Sequence, residues 1–171
     1  REAEPGLVTG KAHFDGRVFV LEQALQLDAI DSELIDERTK GFPYGTPPIP
    51  FNRIGDQGWQ LLNGALPFPL AVLKDSALAH NHRWMRDFTS ATGVLLAPHG
   101  KTTMSPQLIA AQLDAGAWGM TFANVTQARV GLAAGARHVL IANQVMADAD
   151  LSAIASLLRQ HGGPRVLFLV D

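Results

Sequence analysis

A chain of 171 residues, 47% hydrophobic and 18% charged, is long enough to close one core and has the make-up of an ordinary globular protein. Its formal charge of -2 gives no electrostatic reason to expect nucleic acid or membrane as partner, and no apolar run approaches the ~20 residues of a membrane span. The absence of cysteine excludes disulfides, thiolate metal sites and thiol catalysis, and fits a reducing cytoplasm.

Residues 1–60 read as an N-terminal extension and connector. Arg1–Pro5 has neither an initiator Met nor the apolar segment of a secretion signal. Val18–Leu21 is a short apolar run, and Asp31–Lys40 is charged, with Leu34 and Ile35 as its apolar contacts. Gly41–Pro50 is rich in Pro and Gly, which excludes regular helix and central strand because proline lacks the amide donor both need. Residues 61–171 carry the regular elements. Leu70–Leu73 is expected as a strand. Asp75 or Ser76 is placed to cap a helix reaching about Ser90, with Leu78, Asn81, Met85 and Phe88 on one stripe. A strand over 94–97 and a helix over 106–115 follow, the helix stopped by Gly116. Next come a strand over 118–123, an Asn124–Gln127 capping box and a helix to about Ala134, stopped by Gly135. A strand over 139–142, a helix over 148–160, the Gly162–Pro164 turn and a strand over 165–170 complete the series.

Strict alternation of continuous apolar strands with helices argues for a parallel sheet buried on both faces. There is an internal echo. Leu113–Ala117 leads into Gly119–Asn124, and Leu132–Ala136 leads into His138–Asn143; each gives a helix end, a Gly stop, a strand, then Ala-Asn. Short units built alike, with no switch in strand order, favour a (β/α) barrel over an open sheet. A complete barrel has eight strands in about 250 residues. The expected fold class is therefore α/β, the N-terminal part of a (β/α)8 barrel truncated after about four barrel strands. The natural protein is expected to continue past Asp171.

The segment Ala97-Pro98-His99-Gly100-Lys101-Thr102-Thr103-Met104-Ser105-Pro106 joins one of these strands to the next helix. C-terminal strand ends form the catalytic face of such barrels, which gathers His99, Lys101, Asn124, Asn143, Gln144 and Asp171 at one mouth. A lysine there suits carbonyl chemistry, because a desolvated amine is a free nucleophile that condenses with an aldehyde to a Schiff base. His99, two residues away in an extended segment, is expected on the same side as Lys101, to move protons or stack on a ring. Gly100-Lys101-Thr102 also resembles a phosphate-binding loop. That loop needs four residues between its glycines, and Gly93 and Gly100 enclose six, most of them strand residues. His80 and His82, two apart on a helix, do not face each other and make no metal pair, so no metal ligand is expected in this chain. His13, His138 and His161 default to surface or capping roles. Trp59, Trp84 and Trp118 default to core or interface. Asn124 and Asn143 also suit helix caps.

Pro98-His99-Gly100-Lys101-Thr102-Thr103, with Gln112–Gly119, Ile141–Val145 and the upstream Leu70–Asn81, resembles the D-serine dehydratase/D-threonine aldolase group, in particular its amino-acid deaminase branch. These are pyridoxal-phosphate (PLP) enzymes of the alanine-racemase-like fold. The resemblance covers roughly residues 41–171. It departs from the group at Ala97, where many members have Arg, and at Thr103, where many have His. It implies a lyase whose Lys101 carries PLP as a Schiff base, with His99 as assistant in proton transfer; Asn143 and Gln144, by their place at the mouth, are the further candidates to contact cofactor or substrate. The substrate implied is a D-amino acid bearing a β-hydroxyl, D-serine-like, converted to a 2-oxo acid and ammonia. The alternatives are a D-threonine-type aldolase and a non-catalytic PLP-binding protein of cofactor homeostasis. It also implies a remaining barrel half and a β-rich C-terminal domain absent from this chain, the latter holding a divalent metal in some members, and a homodimer when complete.

Overall fold

A computed structural model describes residues 34–38, 41–160 and 162–170 of the chain. The run Val18–Leu21 and the candidates His13, His161 and Asp171 lie outside the described residues. Among the described residues the chain divides after Asn81 into two units.

In the first unit, β1 (Leu34–Ile35) pairs antiparallel with β2 (Ile49–Pro50), Ile35 opposite Ile49. The pairing ends at Pro50, which has no amide to extend it. Thr46 closes the turn between them, its amide and hydroxyl both donating to the Pro43 carbonyl at 3.2 and 2.6 Å. Two 3-10 turns follow, Phe51–Gln57 and Leu61–Asn63. Ile35, Phe42, Ile54 and Leu66 form a small core, with Trp59 edge-on to Phe42 at 5.5 Å. The strand expected over Leu70–Leu73 is not formed. Pro67 and Pro69 remove donors on its approach, no neighbour among the described residues pairs with it, and Ala71 and Val72 are exposed.

Helix α1 (Asp75–Thr92) begins in the first unit and continues into the second. Its expected apolar stripe buries no residue: Met85 and Phe88 are exposed, and Trp84 stacks on Phe88 at 5.5 Å with 58% of its surface accessible. Trp84 is thus a surface residue rather than a core one.

The second unit is a parallel sheet with α2 (Pro106–Asp114), β3 (Met120–Phe122), α3 (Val125–Ala133), β4 (His138–Gln144), α4 (Asp148–Gln160) and β5 (Arg165–Leu169) in alternation. The strand order is β3-β4-β5, sequential as expected. The strand expected over 94–97 is displaced toward its C-terminal end. Val94 and Leu95 are exposed, and pairing with β3 consists of a parallel bridge between His99 and Thr121.

The register places Met120, Val139 and Val166 in one row and Phe122, Ile141 and Phe168 in the next on the same face. That face joins Ile109 of α2, Val125, Ala128 and Leu132 of α3, and Ile154 and Leu157 of α4 in one core. The other face carries the row Thr121, Leu140 and Leu167, with Leu167 and Leu169 exposed. The helices therefore cover one face among the described residues, not both as the apolar strands led us to expect. No helix among these residues is long and apolar enough to cross a membrane.

Candidate functional site

The site is built on the segment from Leu96 to Ser105. Leu96 accepts the Trp118 amide at 2.9 Å and Pro98 accepts the Thr121 amide at 2.8 Å. The Gly100 amide then donates to the Thr121 carbonyl at 2.9 Å. These bonds fix the backbone up to Gly100. There the chain changes direction: residues 101–103 form a turn closed by the Met104 amide on the Gly100 carbonyl, 3.0 Å. Met104 has a left-handed φ of 50°, uncommon without a glycine, and its buried side chain is anchored in the main core. Ser105 caps α2, accepting the Leu108 amide at 3.3 Å, and Pro106 occupies the first turn, where its missing amide costs nothing.

Gly100 is buried against Phe122. A Cβ built there would lie 2.5 Å from the Phe122 ring. Gly131 of α3 meets the same ring from another side, also too closely for a Cβ. The ring thus takes up the volume of two missing side chains. A lone glycine inside a helix costs about 1 kcal/mol relative to alanine, so Gly131 is a sequence signal of close packing that points to Phe122.

Lys101 and His99 are both exposed, and neither side chain has a hydrogen bond or ion pair among the described residues. His99 pairs with Thr121 and so lies on the face opposite the helices. The alternation argument carries to His99 but not to Lys101, because the turn begins between them. Asn143 and Gln144 follow at the C-terminal end of β4, where the register with β5 shifts between Ile141 and Gln144. Such bulges re-aim side chains at sheet ends. Asn143 donates from Nδ2 to the Ala123 carbonyl at 2.9 Å, tying the end of β3 to β4. Asn124 instead caps α3, accepting the Gln127 amide at 2.9 Å, while Gln127 Oε1 accepts the Ala123 amide at 2.9 Å. The two asparagines of the internal echo thus do different work. His80, Asn81 and His82 lie on α1, and no group of three metal-ligating residues occurs among the described residues.

No family model matches the chain. At the level of protein class, its likeness is to enzymes of D-amino acids. It is 32% identical over 91 residues to a D-threonine aldolase of Arthrobacter sp, covering 53% of this chain and 24% of that protein. Its structure is similar to the crystal structure of D-threonine aldolase from Filomicrobium marinum, with 31% identity and a TM-score of 0.57, over 63% of this chain and 28% of the other. It is also similar to a point mutant of a D-threo-3-hydroxyaspartate dehydratase, with 34% identity and a TM-score of 0.50, over 56% and 24%. The chain spans about a quarter of the length of each of these relatives.

Proposed function

We propose that the protein is a PLP-dependent lyase acting on a D-amino acid with a β-hydroxyl, eliminating water and releasing ammonia to give a 2-oxo acid. The observation that carries this reading is Lys101: an exposed side chain, without a partner among the described residues, on an anchored turn just beyond the His99–Thr121 bridge. The relatives support the substrate class, since D-threonine and D-threo-3-hydroxyaspartate both pair the D configuration with a hydroxyl on Cβ. The residues present fit the cofactor in one respect: an aldehyde needs an amine that no carboxylate engages, and among the described residues none engages Lys101. When bound, PLP supplies an electron sink conjugated to the substrate's Cα. Lys101 would hold the cofactor through Nζ, and its amine would be the group that accepts a proton. His99, whose ring has no partner among the described residues, would assist that transfer. Asn143 and Gln144 border the same end of the sheet; with Nδ2 engaged, Asn143 has its Oδ1 to offer.

A second reading, aldol cleavage of a D-β-hydroxy amino acid, is favoured by the two aldolase relatives. The two reactions share Lys101 and differ in the bond broken, Cβ–O against Cα–Cβ.

The test is borohydride reduction of the protein with PLP, followed by peptide mapping, with Lys101→Ala as control. We expect a pyridoxyl adduct on the peptide containing Lys101, lost in the variant. Incubation with D-serine, D-threonine and D-threo-3-hydroxyaspartate then separates 2-oxo acid plus ammonia from aldehyde plus amino acid. An adduct without turnover favours a cofactor-holding role, and no adduct at Lys101 overturns the assignment.

A further inference from the structure

Thr121 is nearly fully buried and touches the lysine-bearing segment through three separate bonds. Two are backbone bonds, its amide to Pro98 and its carbonyl from Gly100. The third is made by its side chain: Oγ1 donates to the Ala97 carbonyl at 2.7 Å. Leu96 and Pro98 have their carbonyls bonded to backbone amides of residues 118 and 121. The hydroxyl therefore captures the carbonyl that the backbone pairing leaves open. Pro98 has no amide to add a bond of its own. Residues 94–99 form no full strand: besides the bridge at His99, the Trp118 amide on the Leu96 carbonyl ties this stretch to the chain leading into β3.

We infer that the Thr121 hydroxyl is a positioning element of the Lys101 turn, reinforcing at Ala97 the backbone bonds made at Leu96, Pro98 and Gly100. It fixes Ala97 in register with β3, so that Gly100 emerges at a set place and the Gly100–Met104 turn presents Lys101 from it. Thr121 acts through the backbone of 97–100 and touches no reacting group. On this view the short pairing of the 94–99 segment is reinforced by one side-chain bond. The inference rests on the reading of Lys101 as the cofactor lysine for its functional consequence, though not for its structural one.

The experiment uses the full chain with Thr121→Val, which keeps the shape and removes the donor, and Thr121→Ser, which keeps the donor. Amide hydrogen exchange is read at Gly100 and Met104, with Val139 and Phe168 as references in β4 and β5. The yield of pyridoxyl adduct at Lys101 is read across pH in the same samples. For T121V we expect exchange at Gly100 and Met104 to quicken about fivefold, the size expected for one lost hydrogen bond, with the reference amides unchanged. The adduct profile shifts in T121V and returns to the parent's in T121S. Should T121V fail to fold, Thr121→Ala against T121S gives the same comparison. Parent-like exchange at Gly100 and Met104 in T121V overturns the inference, as does an equal rise at the reference amides, which marks a general loss of stability. If the parent itself gives no adduct at Lys101, the cofactor reading fails and the exchange comparison alone decides the role of Thr121.

Discussion

Phe122 shows how one residue constrains its neighbours at the candidate site. Gly100→Ala or Gly131→Ala drives a methyl into its ring, and overpacking of this kind costs about 1–3 kcal/mol. Urea unfolding of each variant measures that loss, and adding Phe122→Leu is expected to recover part of it, a coupling a double-mutant cycle reads directly. Lys101 stands out in the sequence as a candidate because its flanking motif is local. The packing of Gly100 on Phe122 does not, since it joins residues 22 positions apart and depends on register. In the first unit, the Arg38 guanidinium donates to both oxygens of Asp36 and, with the Arg38 amide, holds that carboxyl below its ordinary 3.8. A carboxyl held low favours the folded chain above the ordinary value and loses that contribution as pH falls through the folded one. Arg38→Ala should raise the Asp36 titration midpoint, followed by NMR of its side-chain carbon.

The elements of the second unit follow their end signals closely. Ser105 and Asn124 cap α2 and α3, and Gly116 and Gly135 follow those helices with left-handed φ of 98° and 100°. Removing one cap, Ser105→Ala or Asn124→Ala, is expected to cost about 1 kcal/mol, while Asn124→Asp is close to neutral. Thermal unfolding by circular dichroism checks both. Where the local signals mislead, the cause lies in pairing. Leu70–Leu73 and Val94–Ala97 have strand composition, but a strand needs a neighbour as well as a propensity. The first has none among the described residues, and the second is bonded from Leu96 onward, with its bridge to β3 at His99. The echo of Ala-Asn at two strand ends marked a real repeat of β3–α3 and β4–α4. It could not show that Asn124 caps a helix while Asn143 reaches across to Ala123, because that depends on the bulge in β4.

At the scale of the molecule, parallel order and helix alternation were readable, but coverage of the second face was not. Val139–Ile141 and Val166–Val170 are as apolar as strands buried on both sides, and a sequence does not record what lies against them. In the described residues β5 has one neighbour, and Leu167, Leu169 and Val170 are exposed. Unpaired apolar edges promote association. The chain as given is therefore expected to self-associate in concentration-dependent fashion on light scattering, and Leu169→Lys to reduce it. A monodisperse monomer at high concentration would count against this picture.

The three tryptophans also make the chain its own optical probe. Trp59 sits against Phe42 in the small core, Trp84 lies at the surface on Phe88, and Trp118 stacks on the His138 ring at 4.2 Å. An indole's emission follows its surroundings, so variants that keep one tryptophan each would report the small core, the surface of α1 and the start of β4 at His138 as separate colours. Melting followed in this way would show whether the small core and the sheet lose their order in one event or in two.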